Sequence, residues 1–162
     1  MNKPAVFMRD VVCEYHPDFK SNSSLKQFAL AMPARFNIEL LIEETLAHVG
    51  GMQFVDESGY DFLPDYSDSK TVTVNRNSRV AEISSVETKI GAIRITAYNP
   101  FKGSCDYFFV PRASVALVKE PCYARKSVLK ERIKFTYSSR GDHYGKFEQY
   151  RVASFPALAL AR

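Results

Sequence analysis

The chain has 162 residues, the length of one domain with one core. Its 46% hydrophobic and 25% charged residues exclude a disordered chain, and no apolar run approaches the roughly 20 residues that span a bilayer. Net charge is +4 but unevenly placed: residues 1–110 carry 11 Lys and Arg against 14 Asp and Glu, a net −3, whereas residues 111–162 carry 11 against 4, a net +7.

The start, Met1-Asn2-Lys3-Pro4-Ala5, lacks the long apolar stretch of a secretory signal, so a cytoplasmic protein is expected. Ser23 to Met32 reads as a short helix ended by Pro33. A second helix is predicted from Asn37, a candidate N-cap, to Val49, with Gly50-Gly51 as its stop. Ile38, Leu41, Ile42, Leu46 and Val49 share one face of it, with Glu43 and Glu44 at the flanks. From Met52 the period shifts towards two. Strands are predicted at Met52 to Val55, Gly59 to Phe62, Asp68 to Val74, Ala92 to Tyr98, Asp106 to Val110 and Arg132 to Tyr137, with Phe147 to Val152 pairing with the last of these. The 12 Phe and 9 Tyr suit a sheet-rich core. Helices first and strands after predict an α+β chain, an α/β sandwich in which helices flank a central mixed sheet, over one domain 1–162.

The metal chemistry open to such a chain is limited. Cys13, Cys105 and Cys122 are widely spaced with no Cys-x-x-Cys pair, which argues against a disulfide framework or structural zinc and reads as core thiols. His16, His48 and His143 are scattered. Any metal is therefore expected on oxygen ligands, as Mg²⁺ or Mn²⁺. The segment Gly59 to Lys70, followed by Thr71-Val72-Thr73-Val74, supplies them. If Pro64-Asp65 form a tight hairpin turn, Asp61 stands opposite Asp68 on one face of the pair. Lys70, two residues on, shares that face. Two close carboxylates repel unless a cation lies between them, and phosphodiester hydrolysis uses such a cation with an ammonium beside it. The argument depends on register, because a slip of one residue turns Asp61 to the other face.

An Asp, a spacer and then Asp68-Ser69-Lys70, on a hairpin following a helix, resembles the PD-(D/E)xK nucleases, a superfamily that includes many restriction and some homing endonucleases. The resemblance extends over residues 37–112, taking in Gly91 to Tyr98 and Asp106 to Pro111 as later core strands. It implies a restriction-endonuclease-like fold and a Mg²⁺-dependent (or Mn²⁺-dependent) endodeoxyribonuclease. Asp61 and Asp68 would be metal ligands, Lys70 catalytic, and a helical glutamate, Glu44 in preference to Glu43, would complete the set. Double-stranded DNA and a homodimer, one site per strand, are the partners it implies. A rival assignment pairs the literal Pro64-Asp65 with Glu87-Thr88-Lys89.

DNA contacts are expected from the basic C-terminal third, 111–162, and from cations after the central strand. Arg76 and Arg79 would touch the backbone near the cut. Arg140, His143 and Lys146 on the loop from Ser138 would reach a groove. Arg125, Lys126, Lys130, Arg132 and Lys134 form a candidate phosphate stripe. The alternative is a non-catalytic nucleic-acid-binding module whose carboxylates only shape a turn.

Overall fold

The structure is a computed structural model that describes residues 17–31, 38–99, 101–125 and 128–162. The expectations placed on Cys13, His16, Met32, Pro33, Asn37, Lys126 and the side chains of Ile38 and Arg125 lie outside these residues.

Two short helices, α1 (Pro17–Ser21) and α2 (Ser23–Ala31), precede the longer α3 (Ile38–Gly50). The Asn22 side chain caps α2 by accepting the N–H groups of Ser24 and Leu25. Gly51, at φ 65°, ends α3 in a left-handed turn that a residue with a Cβ rarely adopts. Leu41, Ile42, Thr45 and Leu46 are buried on the inner face of α3. Strands β1 (Gln53–Glu57) and β2 (Tyr60–Leu63) form an antiparallel pair.

The central sheet is mixed. Its order is β3 (Asp68–Thr73), β5 (Ile93–Asn99), β6 (Ser104–Val110) and β9 (Arg151–Val152); β3 runs parallel to β5 and the other pairs are antiparallel. A second antiparallel sheet has the order β4 (Val80–Ile83), β8 (Val128–Thr136), β7 (Lys119–Arg125). Helices α4 (Arg112–Val118) and α5 (Phe155–Leu160) complete the set of helices among the described residues. The chain is therefore α+β.

Alternation along the central strands sends side chains to two cores. Ser69, Arg94, Thr96, Tyr107 and Phe109 face the first, where Phe19, Leu41, Leu46, Phe62, Phe155 and Leu158 pack from the helices and β2. Val72, Ile93, Ile95, Ala97, Phe108 and Val110 face the second, against Ile83, Val86, Val115, Ile133 and Phe135. Helices thus cover one face of the sheet and mainly a second sheet covers the other. No helix among the described residues is long and apolar enough to cross a membrane.

Three expectations need correction. β2 and β3 are not a hairpin: β2 pairs with β1 and β3 with β5. The segment Phe147 to Val152 is not one strand, because Gly145–Tyr150 forms a 3-10 turn before the two-residue β9. β9 also pairs with β6, not with the predicted strand at Arg132 to Tyr137. Phe147 is buried within the 3-10 turn, and that burial satisfies its apolar side chain without strand pairing.

Candidate metal and phosphate site

Asp68 opens β3 at the sheet edge. Its amide donates to the Ala92 carbonyl at 2.9 Å, as the parallel pairing requires. Even-numbered amides of β3 therefore point towards β5, and the amide of Ser69 points outward. The Asp61 carboxylate takes it: Ser69 N–H donates to Asp61 Oδ2 at 2.8 Å. Asp61 thus reaches Asp68 through its own side chain, not through a hairpin register. Asp65 forms the loop between them, accepting the Ser67 amide (3.0 Å) and hydroxyl (2.8 Å). The amides of Asp61 and Phe62 close the same loop on the Ser67 carbonyl at 2.9 and 3.1 Å.

The Asp68 side chain is 2% exposed. Lys89 Nζ donates to its Oδ1 at 2.9 Å, and Lys70 Nζ stands 3.5 Å from its Oδ2. Oδ2 is buried with no hydrogen-bond donor on it. The Asp61 and Asp68 carboxyls are neighbours, and both are acceptors when ionised. Their proximity is repulsive unless a proton or a cation lies between them. Burial, followed by the field of Asp68, pushes the Asp61 carboxyl up to about 6 despite the Ser69 hydrogen bond. Burial also pushes Glu43, on α3, up to about 8, assisted by the charges of Asp61, Asp56, Glu39 and Asp68.

Three carboxylates therefore share one field, and the helical member is Glu43. Glu44, favoured from the sequence, lies one residue further, roughly 100° around the helix. Among the described residues no three His, Cys, Asp or Glu side chains stand close enough to hold a metal ion jointly.

The rival pair separates in space. Lys89 joins Asp68, whereas Glu87 Oε1 accepts the Glu131 amide at 2.8 Å and so ties the 3-10 turn Val86–Thr88 to β8. Asp65, the literal Asp after Pro64, pairs with Arg94 at 2.8 Å. Burial raises Asp65, but hydrogen bonds from Ser67 and Arg94 outweigh that and hold it below the usual carboxylate range. Arg94 is 1% exposed and also donates to the carbonyls of Leu158 and Ala161, with its guanidinium 4.9 Å from the Phe109 ring centroid. Asp65 and Arg94 thus hold the chain's last helix against the sheet.

Two glycines bring the Lys89 segment in. A Cβ on Gly91 would lie 2.1 Å from the Tyr66 carbonyl oxygen, and one on Gly59 2.6 Å from that of Thr88. Only backbones without side chains approach this closely. Arg112 Nη1 donates to the Lys89 carbonyl at 2.9 Å and fixes the backbone from the other side. In the sequence Lys89 stands out only as part of the rival pair. Its nearness to Asp68 follows from the parallel register, which sets Asp68 beside Ile93.

The expected DNA-contacting residues lie elsewhere. β3 runs from Asp68 to Thr73 and its ladder continues to Val74. At the strand rise this places Arg76 about 20 Å or more from Asp68. Arg76 is therefore not beside the carboxylates. Its guanidinium lies 5.6 Å from the Phe101 ring centroid and lines a 720 Å³ hollow with Lys102, Ser139, Arg140 and Asp142. Asn99 fixes that loop by donating to the Arg140 carbonyl at 2.8 Å. Arg79 is exposed, and its carbonyl accepts the Tyr137 amide at 3.0 Å. His143 Nδ1 accepts the Gly145 amide, and Lys146 lies over the Phe147 ring.

Two members of the expected phosphate stripe are paired internally. Arg132 binds Glu120 (2.8 Å) and Glu82 (3.1 Å), and Lys134 binds Glu120 (3.3 Å). Cys105 and Cys122 sit at half-buried positions, and His48 stacks on Phe28. No family model, curated protein or solved structure matches the chain.

Proposed function

We propose that this chain is a Mg²⁺- or Mn²⁺-dependent endodeoxyribonuclease of the PD-(D/E)xK type, acting on double-stranded DNA as a homodimer. The observation that carries the reading is the buried Asp68 Oδ2, which has no donor on it and stands between a second carboxylate and an ammonium. Asp61 and Asp68 suit a hydrated magnesium ion, which is commonly held by one or two carboxylates and completed by water and substrate oxygens. Such an ion would supply positive charge to the scissile phosphate and acidify the attacking water.

The chain's own residues would do the rest. Lys70, 34% exposed on the same face as Asp68, can reach a phosphate oxygen or orient the water. Glu43, with its raised affinity for protons, would hold a proton near the attacking water. A mixed central sheet behind a helix, with D-x-K on one strand, supports a restriction-endonuclease-like arrangement. The Arg76–Arg140 hollow would hold the DNA backbone away from the cut.

The test is nicking of supercoiled plasmid in Mg²⁺ or Mn²⁺ by wild type, Asp68→Ala and Lys70→Ala. Cleavage by wild type and its loss in both variants supports the reading. Equal cleavage by all three overturns the site. Binding without cleavage in either metal makes the chain a non-catalytic nucleic-acid-binding module.

A further inference from the structure

We propose that Lys89 occupies the cation position of Asp68 in the metal-free protein and is exchanged out when a divalent ion binds. The inference rests on the reading of Asp61 and Asp68 as metal ligands, and it adds a residue outside the D-x-K pattern.

Asp68 carries two ammonium partners that are not equivalent. Lys70 belongs to β3 and shares the face of Asp68 by strand geometry, so it remains beside the site whatever occupies it. Its contact is the longer one, 3.5 Å, and its side chain is the more exposed at 34%. Lys89 makes the shorter contact, 2.9 Å, and is 11% exposed. It arrives from a loop, directly after the 3-10 turn Val86–Thr88.

The backbone of Lys89 is held at both its amide and its carbonyl. The amide donates to the Val86 carbonyl at 3.1 Å, and the carbonyl accepts from Arg112 at 2.9 Å. Movement is therefore confined to the four-carbon side chain, which leaves Asp68 by rotamer changes alone.

Charge explains why exchange is required. Asp61 and Asp68 stand with Lys70 and Lys89, two carboxylates against two ammoniums, so the cluster is balanced without metal. A divalent ion on Asp68 would stand within a few ångströms of both ammoniums, and like charges at that range in a half-buried site repel strongly. A cation on the unpartnered Oδ2 would face the Lys89 ammonium on Oδ1 across one buried carboxylate. Lys70 is kept beside the site by its strand, and the side chain on the loop is the one able to leave. The consequence is a threshold: the site loads only when divalent ion outcompetes an internal ammonium.

The experiment measures metal binding directly, by Mn²⁺ electron paramagnetic resonance and Mg²⁺ calorimetry, on wild type, Lys89→Met, Lys70→Met and Asp68→Asn. Lys89→Met is expected to bind Mn²⁺ at least fivefold more tightly than wild type and more tightly than Lys70→Met. Equal or weaker binding by Lys89→Met overturns the exchange. Asp68→Asn reports on the underlying reading separately: loss of the wild-type Mn²⁺ signal keeps Asp68 as a ligand even if Lys89→Met is unchanged. An Mn²⁺ affinity indifferent to Asp68→Asn, or no binding by any variant, removes the metal site and the exchange with it. A second measurement needs no variant. In wild type labelled with ¹⁵N-lysine, Mg²⁺ at saturation is expected to shift the Lys89 ammonium resonance to that of a solvated lysine. An unmoved Lys89 resonance in Mg²⁺-saturated protein overturns the exchange.

Discussion

The two ends of β3 handle charge in opposite ways. At its start, Asp68 is buried, faces Asp61 across a hydrogen-bonded loop and takes contacts from two lysines. Beyond its end, Arg76, Lys102 and Arg140 are exposed around an open hollow, with a Lys102–Asp142 contact of 2.7 Å at 45% and 65% exposure. Buried charges are costly, and they persist only where the fold fixes their partners. Exposed ones are screened and mobile, and they attract a polyanion without fixing it. The start of the strand fixes its charges against one another, and the end leaves them to solvent.

The largest effect that separates the two ends comes from Asp61→Asn. An asparagine keeps an oxygen for the Ser69 amide but removes the charge. Cleavage in single-turnover assays is expected to fall on the order of 10³-fold, with the thermal midpoint retained. Arg76→Ala with Arg140→Ala is expected to leave the rate at saturating DNA within about twofold. A comparable loss of that rate in the double variant would merge the two ends into one function.

A pH series sharpens the buried end. Asp61 and Glu43 are raised to about 6 and about 8, so both bind protons more tightly folded than unfolded. The stability this gives is fully present below the ordinary carboxylate range. It is lost as pH rises through about 6 and then about 8. Asp61 is buried and Glu43 half-buried, and the repulsion between them counts once, so the metal-free protein is expected to lose on the order of 2 kcal/mol between pH 4 and pH 9 from this pair, seen as a lower thermal midpoint. Glu43→Gln should flatten the upper part of that fall. Mg²⁺ is expected to raise the midpoint more at pH 8 than at pH 5. An identical midpoint for wild type and Glu43→Gln from pH 6 to pH 9 would take Glu43 out of the cluster.

How much of this is legible in the sequence follows the range of each interaction. Asp68 and Lys70 share a face because strand side chains alternate, a local rule that no fold can change. Helix α3 is equally legible, because its apolar period and its Gly50-Gly51 stop are local. Asp61 requires a long-range fact. The expected hairpin does not form; β3 pairs with β5, and a carboxylate-to-amide bond brings Asp61 to the site instead. Lys89 is hidden as a partner of Asp68 because the parallel pairing of β3 with β5 determines its place. The choice between Glu43 and Glu44 turns on the rotation of one helix over the sheet, which flanking positions on an apolar face do not determine. The second sheet is only partly visible because β4 has only four residues and β7 carries Lys119, Glu120 and Pro121 at its start.

That helix rotation gives a smaller, sharper test. Glu43→Gln is expected to lower cleavage about tenfold, within the range for residues that support a metal or a proton near it. Glu44→Gln should leave it unchanged. A reversal, with Glu44→Gln the damaging variant, would restore the sequence-based choice of Glu44.

The smallest effect belongs to the exposed end, and salt resolves it from the rest. Removing one cation that neutralises a phosphate lowers the slope of log affinity against log salt by about 0.9. Arg76→Ala with Arg140→Ala is therefore expected to weaken DNA binding about fivefold near physiological salt and to reduce that slope by about 1.8. Arg132→Ala provides the contrast on the second sheet. Its guanidinium already pairs with Glu120 and Glu82, so its removal should leave the slope unchanged. If Arg132→Ala lowers the slope as much as the double variant, DNA crosses the second sheet. The carboxylate cluster would then be reached from that side, with the hollow at Arg76 away from the path.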